Sequence, residues 1–253
     1  MSMSMPGSAD PGRPHHTFSF KAVIYDFDYT LADSSAGVVH CANYALEQIG
    51  IPPFPPGRIQ ETIGLSLSGM LRHLIGEEAD RLAAAFTKHF VSRADEVMTQ
   101  MTRIYPFVPD VLRYINQAGM MQGIVSTKYR YRIETITAIS GIREYFTLIV
   151  GGEDIKLPKP DPSGLQMAMS RLGVDPEAVL YVGDHLVDAE AAWRAGVSFA
   201  AVLTGTTGPA GLNKFPHISI LRDVSQLPPL LGIGGEESEA EAEEEAEAAE
   251  PAL

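Results

Sequence analysis

The chain has 253 residues, 45% hydrophobic and 20% charged, with 19 Lys and Arg against 32 Asp and Glu for a formal net charge of −13. That length and apolar content suffice for one large or two small domains around a sizeable core. Nine glutamates crowd into residues 236–250 with no Lys or Arg among them. Set aside, they leave −4 on the rest of the chain, which carries no basic footprint for nucleic acid or an anionic membrane. No apolar run approaches the roughly 18–20 residues that span a bilayer. Residues 1–20 lack the apolar stretch of a secretory signal. The single cysteine, Cys41, suits a reducing compartment. A soluble, cytoplasmic protein is expected.

In chain order, residues 1–20 read as a flexible arm rich in Pro, Gly and Ser, in which His15 and His16 carry no evident role. Ala22–Phe27 is a short apolar run of the kind that forms a strand covered on both faces. From Ser34 to Ile104 only helical patterns follow (Ala36–Ile49, Gly57–Leu74, Glu77–Met101), around the Pro-rich turn Ile51–Pro56. Strand-like and helix-like runs then alternate. Helices are predicted over Val108–Ala118, Arg130–Ile139, Pro162–Leu172 and Leu186–Ala195. Strands are predicted over Met121–Ser126, Phe146–Val150, Val179–Val182 and Val197–Leu203. Trp193 and Leu186 read as core packing, and the Gly-rich stretch Gly205–Gly211 as a plain loop. Residues 232–253 form an Ala/Glu tail with no apolar face to dock, expected to be disordered.

The alternation predicts an α/β fold with a doubly wound, mainly parallel sheet, a Rossmann-like core. Residues 21–33 and 105–231 would form that core, and residues 34–104 an inserted all-helical cap domain.

In open α/β sheets ligands bind beyond the carboxyl ends of the strands. The first strand ends in Asp26-Phe27-Asp28-Tyr29-Thr30 and the second in Ser126-Thr127-Lys128. Lys156–Asp161 follows the third, and the fourth ends in Gly183-Asp184-His185-Leu186-Val187-Asp188. Taken singly, Asp184 or Ser126 also fits a helix cap or a turn. Asp26 is harder to explain that way, because a carboxylate after Ala-Val-Ile-Tyr sits in a dry environment and needs a partner. Four converging carboxylates (Asp26, Asp28, Asp184, Asp188) would repel without a cation. Hard oxygen ligands suit Mg²⁺, and Mg²⁺ with Lys159 nearby equips a site to hold a phosphate.

These residues resemble the four motifs of the haloacid dehalogenase-like hydrolase superfamily, over the body from Lys21 to Leu231. A D-x-D-x-T motif matches Asp26–Thr30, a Ser/Thr ending the second strand matches Ser126, and a downstream Lys matches Lys159. The paired acidic motif matches Gly183–Asp188. The helical insertion after the first strand is similar to the cap of the subgroup that contains phosphoglycolate phosphatases and β-phosphoglucomutases. The resemblance implies that Asp26 is the nucleophile and forms an aspartyl-phosphate. It makes Asp28 the acid for the leaving group and then the base for water. It assigns Mg²⁺ to Asp26, the backbone carbonyl of Asp28, Asp184 and Asp188. Ser126, Thr127 through its backbone N–H, and Lys159 would bind the phosphoryl oxygens. Thr30 would fix the turn. Family members that cleave carbon–halogen bonds carry Tyr in place of Asp28, so phosphoryl transfer is expected here.

Two residues depart from the subgroup pattern: Tyr29 and Phe107 stand where Gly is usual. Cap residues would set the substrate. The loop Ile63-Gly64-Leu65-Ser66-Leu67-Ser68 has no lysine, and its two serines suit a small ligand. Hydrolysis of a small phosphorylated metabolite, phosphoglycolate-like, is the expected activity. An inorganic pyrophosphatase is an alternative, since Ser126–Arg130 resembles a stretch seen in some of these enzymes. So is a hexose-phosphate mutase, with Arg58 and Arg72 flanking the cap loop. A non-catalytic protein whose acidic tail binds a basic protein partner is the alternative of another class.

Overall fold

The computed structural model describes residues 20–233. Most of the expected N-terminal arm, both its histidines, and the Glu-rich tail lie outside that range. The boundaries themselves shift: Phe20 and Ile233, assigned to arm and tail, both pack against the main core.

Six parallel strands form one sheet in the order β5-β4-β1-β6-β7-β8: β1 Ala22–Tyr25, β4 Met121–Val125, β5 Leu148–Val150, β6 Val179–Gly183, β7 Ser198–Val202 and β8 Ser219–Leu221. The strand alternation is visible in where side chains go. Val23, Tyr25, Leu180 and Val182 face one apolar cluster, and Ala22, Ile24, Val179 and Tyr181 face the other. The first face is covered by α5 (Val108–Gln117) and α6 (Arg130–Ile139), through Val111, Leu112, Ile133 and Ile136. The second is covered by α7 (Ser163–Leu172) and α8 (Leu186–Ala195), through Leu165, Ala168, Ala189 and Ala192. Both α7 and α8 end on a glycine in the left-handed region, Gly173 and Gly196, where a Cβ would be strained.

The sequence patterns missed β8, which is only three residues long. They also missed an antiparallel ribbon of β2 (Ala32–Asp33) and β3 (Arg103–Ile104), through which the chain leaves the sheet and returns. Between them lie α1 (Ser35–Gln48), α2 (Pro56–Gln60), α3 (Leu67–Ile75) and α4 (Ala79–Val97). The helix expected over Gly57–Leu74 is thus split into α2 and α3, because Ser66 caps a new start by accepting from the Gly69 N–H at 3.1 Å. These helices share a separate apolar cluster that includes Leu46, Leu71, Phe86 and Met98. Trp193 is 59% exposed, its ring 6.4 Å from Phe215, so it is a surface residue and not core. The sheet order reverses at β1, between β4 and β6. That switch point is where α/β sheets leave a crevice at the carboxyl ends of their strands.

Candidate active site

Asp26 leaves the end of β1 with its backbone N–H donating to Val182 O at 2.8 Å, which places its carboxylate directly over the crevice. The side chain is 1% exposed, and among the described residues neither carboxylate oxygen accepts a hydrogen bond of regular geometry. Lys159 Nζ lies 2.8 Å from Oδ1, within ion-pair distance but off the hydrogen-bonding line. Asp184 and Asp188 come from the loop after β6 and the first turn of α8. Each of the three carboxylates offers an oxygen within 4.8 Å of the others'. Glycine makes this crowding feasible: a Cβ on Gly183 would meet the Asp188 carboxylate at 2.7 Å.

Three buried carboxylates against one ammonium leave a charge that needs neutralising. Burial raises the Asp26 pKa to about 6, with Lys159 pulling it down and Asp188 and Asp28 pushing it up. Asp184 is likewise held well above the carboxylate range by burial and by its acidic neighbours. Burial opposes the charge on Lys159, but Asp188 and Asp26 outweigh it and hold its pKa well above the usual lysine range. Orphaned oxygens on Asp26 and an all-oxygen donor set are what a hard divalent cation such as Mg²⁺ requires, so the residues fit that ion.

The remaining contacts fix these groups in place. Asp188 Oδ1 takes Lys159 Nζ at 2.5 Å and the Tyr181 hydroxyl at 3.0 Å, while its Oδ2 accepts the His185 N–H at 3.0 Å. Thr30 Oγ1 donates to Asp184 Oδ1 at 3.4 Å. Thr204 Oγ1 donates to the carbonyl of Tyr29. Gly205 lies so close to Asp184 that a Cβ there would fall 1.8 Å from Oδ2. The stretch expected to be a plain loop therefore braces the site. Ser126 is buried, and its Oγ accepts the Lys128 N–H at 3.3 Å.

Asp28 departs from the expected cluster of four carboxylates. Its carboxylate is not grouped with the other three, and Oδ1 accepts from Ser34 Oγ at 2.6 Å and Lys128 Nζ at 2.9 Å. Lys128 and Ser34 were not anticipated. Lys128 was visible in the sequence as one of the residues ending the second strand, but its partner lies 100 positions away. Thr127 spends its hydroxyl on the loop before α3 of the helical insertion, donating to Gly64 O at 3.3 Å.

A cavity of about 50 Å³ opens beside Asp28 and Lys128. Its polar wall comes from the sheet side: Asp28, Thr127, Lys128, Tyr129 and Arg132. Its other wall comes from the helical insertion and is apolar, with Ile63, Leu65, Met70 and Phe90. The serines expected to line it do not. Ser66 caps α3, and Ser68 pairs with it at 3.2 Å on an exposed face. Arg58 and Arg72 make exposed pairs with Glu61 and Asp80. Tyr29 is buried against the apolar cluster of the insertion, at φ 60, the one non-glycine with positive φ among the described residues. Phe107 stacks on Tyr105, with ring centroids 5.5 Å apart.

Comparison with known proteins agrees with this geometry. Residues 23–202 match the profile described as haloacid dehalogenase-like hydrolase. The chain belongs to that family. Pyrophosphatase PpaX of Bacillus velezensis is 28% identical over 212 residues, covering 84% of this chain and 96% of that one. A phosphoglycolate phosphatase of Cereibacter sphaeroides is 32% identical over 217 residues, covering 83% and 96%. A crystal structure described as a haloacid dehalogenase-like hydrolase from Bacteroides fragilis is 38% identical. It superposes with a TM-score of 0.80 over 82% of this chain and 99% of that one. The chain is thus a hydrolase of this family with the Rossmann-like sheet, and no helix among the described residues is long and apolar enough to cross a membrane.

Proposed function

We propose that this hydrolase is a Mg²⁺-dependent phosphatase that cleaves a small phosphomonoester through an aspartyl-phosphate on Asp26. The observation that carries the reading is the Asp26 carboxylate itself: buried, 2.8 Å from Lys159 and grouped with Asp184 and Asp188. Asp26, Asp184, Asp188 and the Asp28 backbone carbonyl would hold Mg²⁺, which when bound supplies charge to neutralise the phosphoryl oxygens. An Asp26 oxygen attacks phosphorus as the ester P–O bond breaks, and Asp28 passes a proton to the departing alkoxide. Asp28 then takes a proton from water as that water attacks the aspartyl-phosphate, which releases phosphate and restores Asp26. Lys159 supplies positive charge beside the transferring group, and the Ser126 hydroxyl and the Thr127 N–H donate to its oxygens. Lys159 is held for this by Asp188 and Tyr181.

In this reading residues 34–104 act as a cap over a core of residues 21–33 and 105–231. The small cavity supports a small substrate, and the relatives' names point to phosphoglycolate or inorganic pyrophosphate. Phosphoglycolate is favoured, because Arg130 of the pyrophosphatase-like stretch is occupied by Asp154 at 3.0 Å and by Glu134. A hexose-phosphate mutase has less support, since Arg58 and Arg72 are engaged at the surface. A cytoplasmic enzyme fits the lone, buried Cys41.

The test is phosphate release from a panel of phosphomonoesters and pyrophosphate, with Mg²⁺ or with chelator, for the native protein and Asp26→Asn. Turnover that needs the metal and disappears in a folded Asp26→Asn protein is expected. Equal turnover by that variant would sink the mechanism.

A further inference from the structure

Lys128 faces the cavity with hydrogen-bond donors to spare. Its side chain is 5% exposed, and its Nζ reaches one hydrogen-bond acceptor among the described residues, Asp28 Oδ1 at 2.9 Å. Ser34 already uses that same oxygen at 2.6 Å. An ammonium has three N–H donors, and a buried donor without an acceptor is costly. The Phe27 ring, with its centroid 5.8 Å away, offers only weak compensation. The second cation on this wall, Arg132, is committed elsewhere: it donates to Asp95 at 2.7 Å and to Val91 O at 2.9 Å. Across the cavity, Ile63, Leu65, Met70 and Phe90 bring neither acceptor nor charge, and apolar walls strengthen the pull of an ammonium on any anion that enters. A cavity of about 50 Å³ has room for about three or four water-sized groups, the size of a carboxymethyl unit.

We propose that Lys128 selects the leaving group: its ammonium takes an anionic group, carboxylate or phosphate, carried next to the ester oxygen. This rests on the phosphatase reading and names the substrate class within it, small esters with a second negative charge. An alkyl leaving group of the same size satisfies the apolar wall but leaves the Lys128 donors unpaired. The core then reads both the phosphate and the leaving group, while the helical insertion excludes water and limits size.

The experiment compares phosphate release from 2-phosphoglycolate, pyrophosphate and ethyl phosphate, with Mg²⁺ present, by the native protein, Lys128→Gln and Lys128→Arg. The native protein is expected to favour one of the anionic substrates over ethyl phosphate by about tenfold or more in kcat/KM. Lys128→Gln brings that ratio close to one, mainly through a raised KM for the anionic substrate, and Lys128→Arg keeps the preference. Which anionic substrate is favoured tells carboxylate from phosphate. A disturbance of Asp28 alone weakens proton donation to the leaving group, which slows ethyl phosphate most and raises the ratio, the opposite of the change expected from losing the Lys128 charge. A native ratio near one, or a ratio unchanged in Lys128→Gln, overturns the proposal while hydrolysis itself upholds the phosphatase reading. Release from none of the three removes support from that reading. Calorimetric binding of 2-phosphoglycolate and ethyl phosphate to Asp26→Asn, with and without Lys128→Gln, then decides on Lys128 by itself. Equal affinity for the two esters in both proteins overturns it.

Discussion

The Cα of Gly205 rests against the carboxylate of Asp184 so tightly that a single added Cβ would sit 1.8 Å from Oδ2. The loop after β7 therefore forms one side of the carboxylate cluster. Gly205→Ala must displace either the loop or the carboxylate, at an expected cost of about 1–3 kcal/mol. Urea unfolding measures that cost, and calorimetry should show weakened Mg²⁺ binding. A variant that keeps native stability and native metal affinity would show that the loop yields freely.

The buried carboxylates make a pH-dependent prediction. In the metal-free protein burial raises the Asp26 pKa to about 6, above the 3.8 of an ordinary aspartate in the unfolded chain. Over that window the folded state holds more protons than the unfolded one, so stability falls as pH rises from about 4 to about 6. On the proposed reading Mg²⁺ would take the ionised carboxylates, so its stabilising effect should grow across the same range. Thermal melts with and without Mg²⁺ at about pH 5 and about pH 7.5 should show the larger Tm shift at the higher pH. Equal shifts would contradict it.

Tyr29 combines a left-handed backbone with a buried ring. Tyr29→Ala and Tyr29→Gly both lose the ring, but only glycine relieves the backbone. The Gly variant is expected to be the more stable of the two by about 1 kcal/mol, the reverse of their order in a helix. Denaturant midpoints of the two variants settle the sign.

Asp95 on α4 accepts from three donors on α6 through one oxygen: the Tyr131 hydroxyl at 2.6 Å, and Arg132 Nη2 at 2.7 Å and Nε at 3.0 Å. Asp95 is half exposed and Arg132 is buried, so Asp95→Ala should cost about 1–2 kcal/mol after solvent screening. The loss should be smaller when Arg132→Met is already present, because the unpaired guanidinium is then gone. A double-mutant cycle reads the difference, and strict additivity would mean that the pair does not couple the two helices.

Part of this site could be read from the chain because its spacing is local. Asp26 and Asp28 flank one residue, and Asp184 and Asp188 are one helical turn apart, so short-range geometry puts each pair at a strand end. The parallel sheet was equally readable, since strands buried on both faces leave continuous apolar runs. The two-residue strands β2 and β3 were not, because they have too few residues to establish a period.

What only the tertiary structure decided is which charges meet. Lys128 and Asp28 pair across 100 positions, Gly205 abuts Asp184, and Ser66 turns to cap α3 and not to the cavity. Such pairings depend on how separate loops converge beyond the sheet, and on which desolvated charge finds a partner there. The sequence by itself determined the fold class and that Asp26, Asp184 and Asp188 follow the carboxyl ends of two strands. Tertiary packing determined that Asp26 faces Lys159 at 2.8 Å, and that Lys128, not a serine of the helical insertion, lines the cavity.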